Sequence, residues 1–381
     1  MPPDSRHAGP AAAPVPNAAI AALIERIRSA ADEGRALCIR GGGSKDFYGG
    51  ACTGEPLDVT ALAGVRNYEP SELFVTVGAG TPLAELEALL AGQGQCLPFE
   101  PPRFGHAGTV GGMVAAGLSG PARASVGAVR DYVLGATLLN GRGEVLTFGG
   151  QVMKNVAGYD VSRVLAGSLG VLGVVAEVSL KVLPLAPAEA TLVFECSQAD
   201  ALRLLNGWGG QPLPLNASSW QADGGTGRLW LRLRGAVAAV EAACKQLGGE
   251  RHHAADAQWT AWRDQSDAFF APVATLDLWR IAVPQTAPVL ALALAGAPLV
   301  EWHGGQRWYA LPAGQAPAVR AAARAAGGHA TLFRAAPGTP GAPPVAAFDA
   351  PSAPLLRIHA ALKREFDPHG VFNPGRLYPD L

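Results

Sequence analysis

Ile20, Leu23, Ile24 and Ile27 recur at three- and four-residue spacing, which predicts an amphipathic helix over residues 18–34 that Gly34 ends. Ala36–Ile39 then predicts a short strand running into the loop Arg40-Gly41-Gly42-Gly43-Ser44-Lys45. Further strands are predicted at Leu57–Val59 and Phe74–Val77. The second of these leads into Gly78-Ala79-Gly80-Thr81-Pro82, where Thr81 reads as the N-cap and Pro82 as the first residue of a helix over Leu83–Leu90. Val133–Asn140 and Val145–Phe148, separated by Gly141-Arg142-Gly143, predict a hairpin. A helix around Ser162–Ala166 and a β-rich run from Val171 to Leu183 follow, and Pro184 and Pro187 mark a domain boundary.

Beyond that boundary the pattern changes. Leucine recurs at every second position from Arg228 to Arg234, with Arg or Trp between, which predicts a half-exposed strand, and an Ala-rich helix is predicted over Val237–Leu247. Six of the eight tryptophans fall between Trp208 and Trp279, and Trp302 and Trp308 follow; they read as core of a smaller α+β module, with a partner surface as the alternative. Residues 335–354 are rich in Ala, Pro and Gly and read as a loop or linker. Leu355–Phe366 is amphipathic, and Asp367–Arg376 closes the chain with turns.

Length and charge narrow the function. The 381 residues leave room for two domains, and 30 Lys+Arg against 31 Asp+Glu give a net charge of -1, which argues against a nucleic-acid binder held through phosphates. The five cysteines are odd in number and never in C-x-x-C spacing, so neither a disulfide framework nor a zinc site is expected, and a reducing compartment fits best. No secretory signal pattern precedes residue 18. The apolar run Ala287–Val300 is too short to span a bilayer and is broken by Pro288 and Pro298.

Glycine is the informative residue: 27 of the 48 lie between Gly41 and Gly173, and three stretches among them invite a ligand reading. In the first, Arg40–Lys45, successive residues without Cβ leave backbone N–H groups free to converge on an anion, and Ser44 adds a hydroxyl. It matches neither a G-x-G-x-x-G fingerprint nor a P-loop, and an ordinary tight turn is the alternative. The second, Gly105–Gly117, lets backbone lie flat along a ligand or lets helices pack closely, and its Thr109 offers a hydroxyl. The third joins Lys154-Asn155-Val156-Ala157-Gly158-Tyr159-Asp160 to Gly167-Ser168-Leu169-Gly170-Val171-Leu172-Gly173-Val174-Val175.

Taken in order and spacing, these clusters resemble the flavin-binding fold shared by vanillyl-alcohol oxidase, p-cresol methylhydroxylase and the D-lactate and glycolate dehydrogenases. The resemblance covers about residues 20–187 and returns at Asp367–Arg376. More narrowly, Lys154–Tyr159, Ala166–Gly170 and Trp302-His303-Gly304-Gly305-Gln306-Arg307-Trp308 are similar to the FAD-binding subunits of bacterial glycolate oxidases. The resemblance implies an α+β fold with a two-subdomain p-cresol methylhydroxylase-type FAD domain over 18–187. A tail over 1–17, a cap or partner-binding domain over 188–345 and a C-terminal segment, 346–381, returning to the FAD domain complete it. It implies non-covalent FAD held by Arg40, Gly41, Gly42, Gly43, Ser44, Lys45, Gly108, Thr109, Gly111, Gly112, Ala115, Gly117, Lys154, Tyr159, Gly170, Gly173, Val174, Val175 and Asn373.

The implied chemistry is oxidation of a small 2-hydroxy acid, glycolate to glyoxylate. The α-hydrogen leaves as hydride to the flavin and the electrons pass on to a larger FAD-containing catalytic subunit and an iron–sulfur subunit. The implied location is the cytoplasm, with any membrane attachment made through the complex. Larger catalytic relatives read G-S-E-G-T-L-G where this chain has Leu169 and Val171, and carry a G-D-G-N-x-H element with metal-binding histidines that is missing after residue 188. A self-sufficient dehydrogenase and a flavin-holding scaffold are therefore the rival readings. His303 and Arg307 are candidates for binding the acid, Arg through a bidentate carboxylate contact, with a structural salt bridge as the alternative. His106 is a candidate flavin contact. Adjacent His252 and His253 diverge on a strand or a helix and are not expected to share a metal.

Overall fold

The computed structural model describes residues 17–150, 160–222, 225–292, 296–337 and 345–381. Its N-terminal helix, Asn17–Asp32, places Leu23, Ile27 and Ala30 against Leu37, Leu57, Val174 and Phe372. The strand Leu37–Arg40 pairs in parallel with Glu55–Asp58. A five-stranded antiparallel sheet stands beside this pair, in the spatial order Val65–Glu69, Phe74–Gly78, Val174–Lys181, Val133–Leu139, Val145–Gly149. Phe74–Gly78 is buried at every position because the helices Leu83–Ala91 and Val110–Ala116 cover its sheet, with Leu83, Leu86, Leu90, Val110, Met113 and Val114 in one core.

Residues 188–334 build a second, eight-stranded sheet, in the order Glu250–His252, Ala188–Glu195, Arg228–Gly235, Leu215–Gln221, Leu299–Glu301, Gln306–Leu311, Asp277–Ala282, His329–Arg334. Leu229, Leu231 and Leu233 pack with Leu202, Leu205 and Val240 of two covering helices, while Trp279 and Ile281 pack with Val319 and Ala323 of a third. On its other face Ala217, Leu278, Trp308 and Phe333 pack with Tyr48, Ala116, Leu118 and Leu169 of the first domain. Seven of the eight tryptophans are buried, with Trp230 half-buried.

Three expectations change on folding. The strand Arg228–Gly235 is not half-exposed: its polar face meets the first domain, where buried Arg232 grips both carboxylate oxygens of Glu100 at 2.6 and 2.7 Å and stacks on Trp259. Alternation reveals two unlike faces, and here the polar one is covered by another domain rather than by water. Thr81 does not cap the helix. Its hydroxyl donates to Gly78 O at 2.7 Å and accepts from Gly64 N at 2.9 Å, bracing a loop, and the helix starts after Pro82 without a side-chain cap. Cys38 and Cys52 are bonded to each other, Cα–Cα 6.0 Å, while Cys96, Cys196 and Cys244 are free. The glycine loop doubles the chain back so that Cys52 returns beside the first strand, a proximity that spacing alone does not carry. Among the described residues no helix is long and apolar enough to cross a membrane.

The last segment is stitched to the first. After the helix Ala353–Phe366 the chain runs alongside Leu37–Arg40: Leu37 N donates to Val371 O at 2.7 Å and Asn373 N to Leu37 O at 2.9 Å. Buried Lys363 donates to Asp367, Val171 O and Phe372 O at 2.7–2.8 Å, and the Asp367 carboxylate also accepts from Val371 N and Phe372 N. Removing one partner of such a buried pair leaves an uncompensated charge, so Asp367→Ala should lose about 3–5 kcal/mol of stability. Urea unfolding followed by tryptophan fluorescence checks this; a loss of less than about 1 kcal/mol, the range of an exposed pair, would contradict it.

Candidate functional site: a glycine-lined groove

The groove lies where the loop after the first strand faces the N-terminal end of Val110–Ala116. Ile39, Arg40, Gly41, Gly42, Gly43, Ser44, Lys45 and Asp46 form one wall. Thr109, Gly112, Ala115 and Ala116 form the other, and Leu169, Asn373 and Arg376 close the floor. Among the described residues, no hydrogen bond takes the backbone N–H of Gly41, Gly42, Gly43, Ser44 or Lys45 to a protein acceptor. Five successive unengaged donors beside a groove fit an anionic group such as a pyrophosphate.

Close approach explains the glycines. A Cβ on Gly42 would overlap the carbonyl oxygen of Ala107, one on Gly41 would overlap the Thr109 hydroxyl, and Gly43 adopts φ +72°. The two walls therefore come within reach of one ligand only because these side chains are missing. Thr109 has a second duty: its Oγ1 accepts from Gly112 N at 3.2 Å and caps the helix. Asn373 holds the floor, with Oδ1 accepting from Ile39 N at 2.8 Å and Nδ2 donating to Leu169 O at 2.6 Å.

Several expected residues stand behind the groove instead. Gly111 lets the helix approach Ala79, where a Cβ would come within 2.7 Å of the alanine side chain. Gly117 (φ +63°) packs on Gly167, Gly170 (φ +74°) on Asn373, and Gly173 (φ +149°) on Leu139 O. Val174 and Val175 are core residues, and Gly108 sits just outside the lining beside Ser44. Lys154 and Tyr159 lie outside the described residues. Leu169, with φ +52°, Asp46 and Arg376 were not singled out from sequence as ligand contacts. The ending around Asn373 was the available signal for Arg376, whose guanidinium donates to Gly50 O and Lys45 O.

His303 and Arg307 do not converge on a common ligand. Arg307 is fully buried, and its guanidinium donates to the carbonyls of Ala287, Pro288 and Gly304, so the expected carboxylate contact gives way to a structural one, made to backbone rather than to an acid. His303 faces Ser125 through Nε2 at 3.0 Å and Ser218 through its backbone N–H at 2.9 Å, and burial pushes its pKa down to about 4. His106 is exposed. His253 is exposed too, while His252 packs on the Trp230 ring at 4.7 Å. Among the described residues no group of three or more His, Cys, Asp or Glu is placed to hold a metal.

Beside the groove the two domains meet in an aromatic cluster. Tyr48 and Trp308 pack on Phe333 at 5.1 and 4.9 Å, and the Arg280 guanidinium donates to the Tyr48 hydroxyl at 3.0 Å. Behind it, Trp262, Glu301 and Gln306 line a cavity of about 20 Å³, room for about one water.

Residues 15–149 match the family model of the FAD binding domain, and the fold is that of solved alkyldihydroxyacetonephosphate synthase, TM-score 0.61 at 15% identity over 92% of this chain and 74% of that one. The molecule is thus an α+β flavoprotein of the p-cresol methylhydroxylase type, with FAD as its cofactor. Most of its length aligns with glycolate oxidase subunit GlcE of Escherichia coli (strain K12), at 45% identity over 94% of this chain and 97% of that protein, and the chain belongs to that family of glycolate oxidase subunits. Glycolate oxidase subunit GlcD of Bacillus subtilis (strain 168) is 28% identical over 47% of this chain and 38% of its own length. D-lactate dehydrogenase of Anaerostipes hadrus is 30% identical over 40% of this chain and 32% of its own length.

Two outcomes follow from the groove. Gly42→Ala should weaken FAD binding at least about tenfold, ~1.4 kcal/mol, because the wall must move away from Ala107; a fluorescence titration with FAD reads it, and unchanged affinity would contradict the close-approach reading. Burial pushes the Lys45 pKa from 10.5 down to about 8, with Asp264 and Glu87 partly opposing. Protonated Lys45 is thus disfavoured in the empty fold, whose stability rises with pH between about 8 and 10.5. An anion beside it favours the charged form, so FAD binding takes up a proton in that window and affinity falls as pH rises through it. Lys45→Met should flatten that dependence, and equal slopes in the two proteins would contradict it.

Proposed function

We propose that this chain holds one FAD non-covalently along the groove and works as a subunit of a complex that oxidises glycolate to glyoxylate. The carrying observation is the row of five amides, Gly41–Lys45, unengaged among the described residues, within a chain of the GlcE family. Bound there, FAD supplies the acceptor for the hydride that a 2-hydroxy acid releases from its α-carbon. The chain's own residues supply position and charge. The loop amides take the pyrophosphate, Thr109, Gly112 and Ala115 offer a small-sided wall, and Asn373 fixes the floor.

The residues that would accept the substrate's hydroxyl proton belong, in this reading, to a larger FAD-containing partner subunit. Support comes from the commitment of Arg307 to backbone carbonyls and from the missing G-D-G-N-x-H element. Electrons then leave through that partner and an iron–sulfur subunit, since the cysteines of this chain show no cluster-binding pattern. In this reading the complex works in the cytoplasm, where the Cys38–Cys52 bond has to persist against a reducing environment, and attachment to a membrane is made through the complex.

Purification and reconstitution test the proposal. The chain alone should be yellow yet inactive with glycolate and a dye, and activity should appear when partner subunits are added. A folded, colourless chain would overturn the cofactor assignment, and glycolate-dependent dye reduction by the chain alone would favour a self-sufficient dehydrogenase. A Gly42→Val/Gly112→Val double variant should abolish turnover of the reconstituted complex; full turnover without this flavin would leave only a scaffold.

A further inference from the structure

A second groove, of about 350 Å³ and open to solvent, runs between the first domain and the eight-stranded sheet. Arg123, Arg130 and Asp131 line it from one side, and Ala282, Gln285 and Trp302 from the other. Trp302, His303 and Gly304 follow one another with φ +54°, +55° and +95°. Left-handed backbone at two successive non-glycine residues costs of order 1–3 kcal/mol each and persists only where the surroundings impose it. The turn is held by the Trp302 indole donating to Gly120 O at 3.0 Å and by the His303 contacts to Ser125 and Ser218.

What the turn presents is an indole face, and the Arg123 guanidinium lies over it at 4.4 Å. The Arg123 guanidinium makes no hydrogen bond and has no carboxylate within 4 Å among the described residues, and its pKa is lowered by burial and by the neighbouring Arg280 and Arg130. Arg280 lies close enough to act on Arg123, but lines a separate cavity and donates to the Tyr48 hydroxyl at 3.0 Å. Asp131 is the acid in the groove, and its Oδ2 is engaged by Ala128 N at 2.8 Å. Two guanidinium groups thus line the groove: Arg130 lies 3.9 Å from Asp131, while Arg123 lies over the indole as a planar fork with its guanidinium donors unengaged among the described residues.

We propose that Arg123, stacked on Trp302, is a preformed anion fork that captures the carboxylate of a small organic acid entering this groove. That the acid is a 2-hydroxy acid rests on the function proposed above; the fork does not. Arg123 acts here as a binding residue for an incoming anion, with Trp302 as its platform.

The test is equilibrium dialysis of the whole chain with radiolabelled glycolate, competed by uncharged glycolamide and by inorganic phosphate. Wild-type protein should bind glycolate saturably, glycolamide should fail to displace it, and Arg123→Gln should weaken binding at least about tenfold, ~1.4 kcal/mol, while the distant exposed variant Arg203→Gln binds as wild type. Arg123→Lys, which keeps the charge and loses the fork, should recover only part of the affinity. Flavin content and thermal melting of each variant separate lost binding from lost folding. No saturable glycolate binding, equal displacement by glycolamide, or unchanged affinity in folded Arg123→Gln would overturn the proposal. Tighter binding of phosphate than of glycolate would overturn the carboxylate assignment. Loss of flavin from wild type with the Arg123-dependent binding intact would sink the proposed function and leave this inference standing.

Discussion

The carboxamide of Asn373 ties together the parts from which the groove is made. One side chain bonds the end of the first strand through Ile39 N and the left-handed Leu169 through its carbonyl, so residues more than 200 positions apart share one buried bridge. A half-satisfied amide at this depth would cost about 1–3 kcal/mol, which gives the arrangement its definition. The Lys363–Asp367 pair and the strand-like run of Val371–Asn373 along Leu37 deliver Asn373 to that place. The distal segment is therefore part of the cofactor wall, although it lies farthest from it in sequence.

A second constraint orients the eight-stranded sheet. Arg232 and Glu100 pair at the junction while Arg280 reaches Tyr48 just beyond the glycine loop, so the polar rows of the second sheet are addressed to the first domain. Truncating either member of the buried pair would strand the other, so this contact serves orientation more than net stability. The same junction carries the Trp302 turn. The sheet that covers the groove also builds the arginine-lined approach beside it.

Much of this was legible in the chain. Helical periodicity placed Asn17–Asp32 and Val237–Leu247, and the three glycine clusters pointed to one ligand before any contact was known. The finer division of labour was not. Gly42 and Gly111 look alike in sequence, yet one lets the groove wall close on the Ala107 carbonyl and the other lets a helix approach Ala79 behind it. The alternation at Arg228–Arg234 showed two faces without saying what covers the polar one, and the Cys38–Cys52 bond depends on a loop path that spacing does not encode. Thr81 carried the residue type of a cap and the geometry of a loop brace. In each case the missing information was a distant neighbour.

Hydrogen–deuterium exchange across residues 40–46, with and without FAD, tests the central claim most directly. Backbone amides that grip the pyrophosphate should exchange at least about tenfold more slowly in the holo protein, while the hairpin turn at Arg142–Gly143, outside the groove lining, is unchanged, because bound donors open only when the ligand lets go. FAD bound at full occupancy with Gly41–Lys45 exchanging at the free rate would contradict the account.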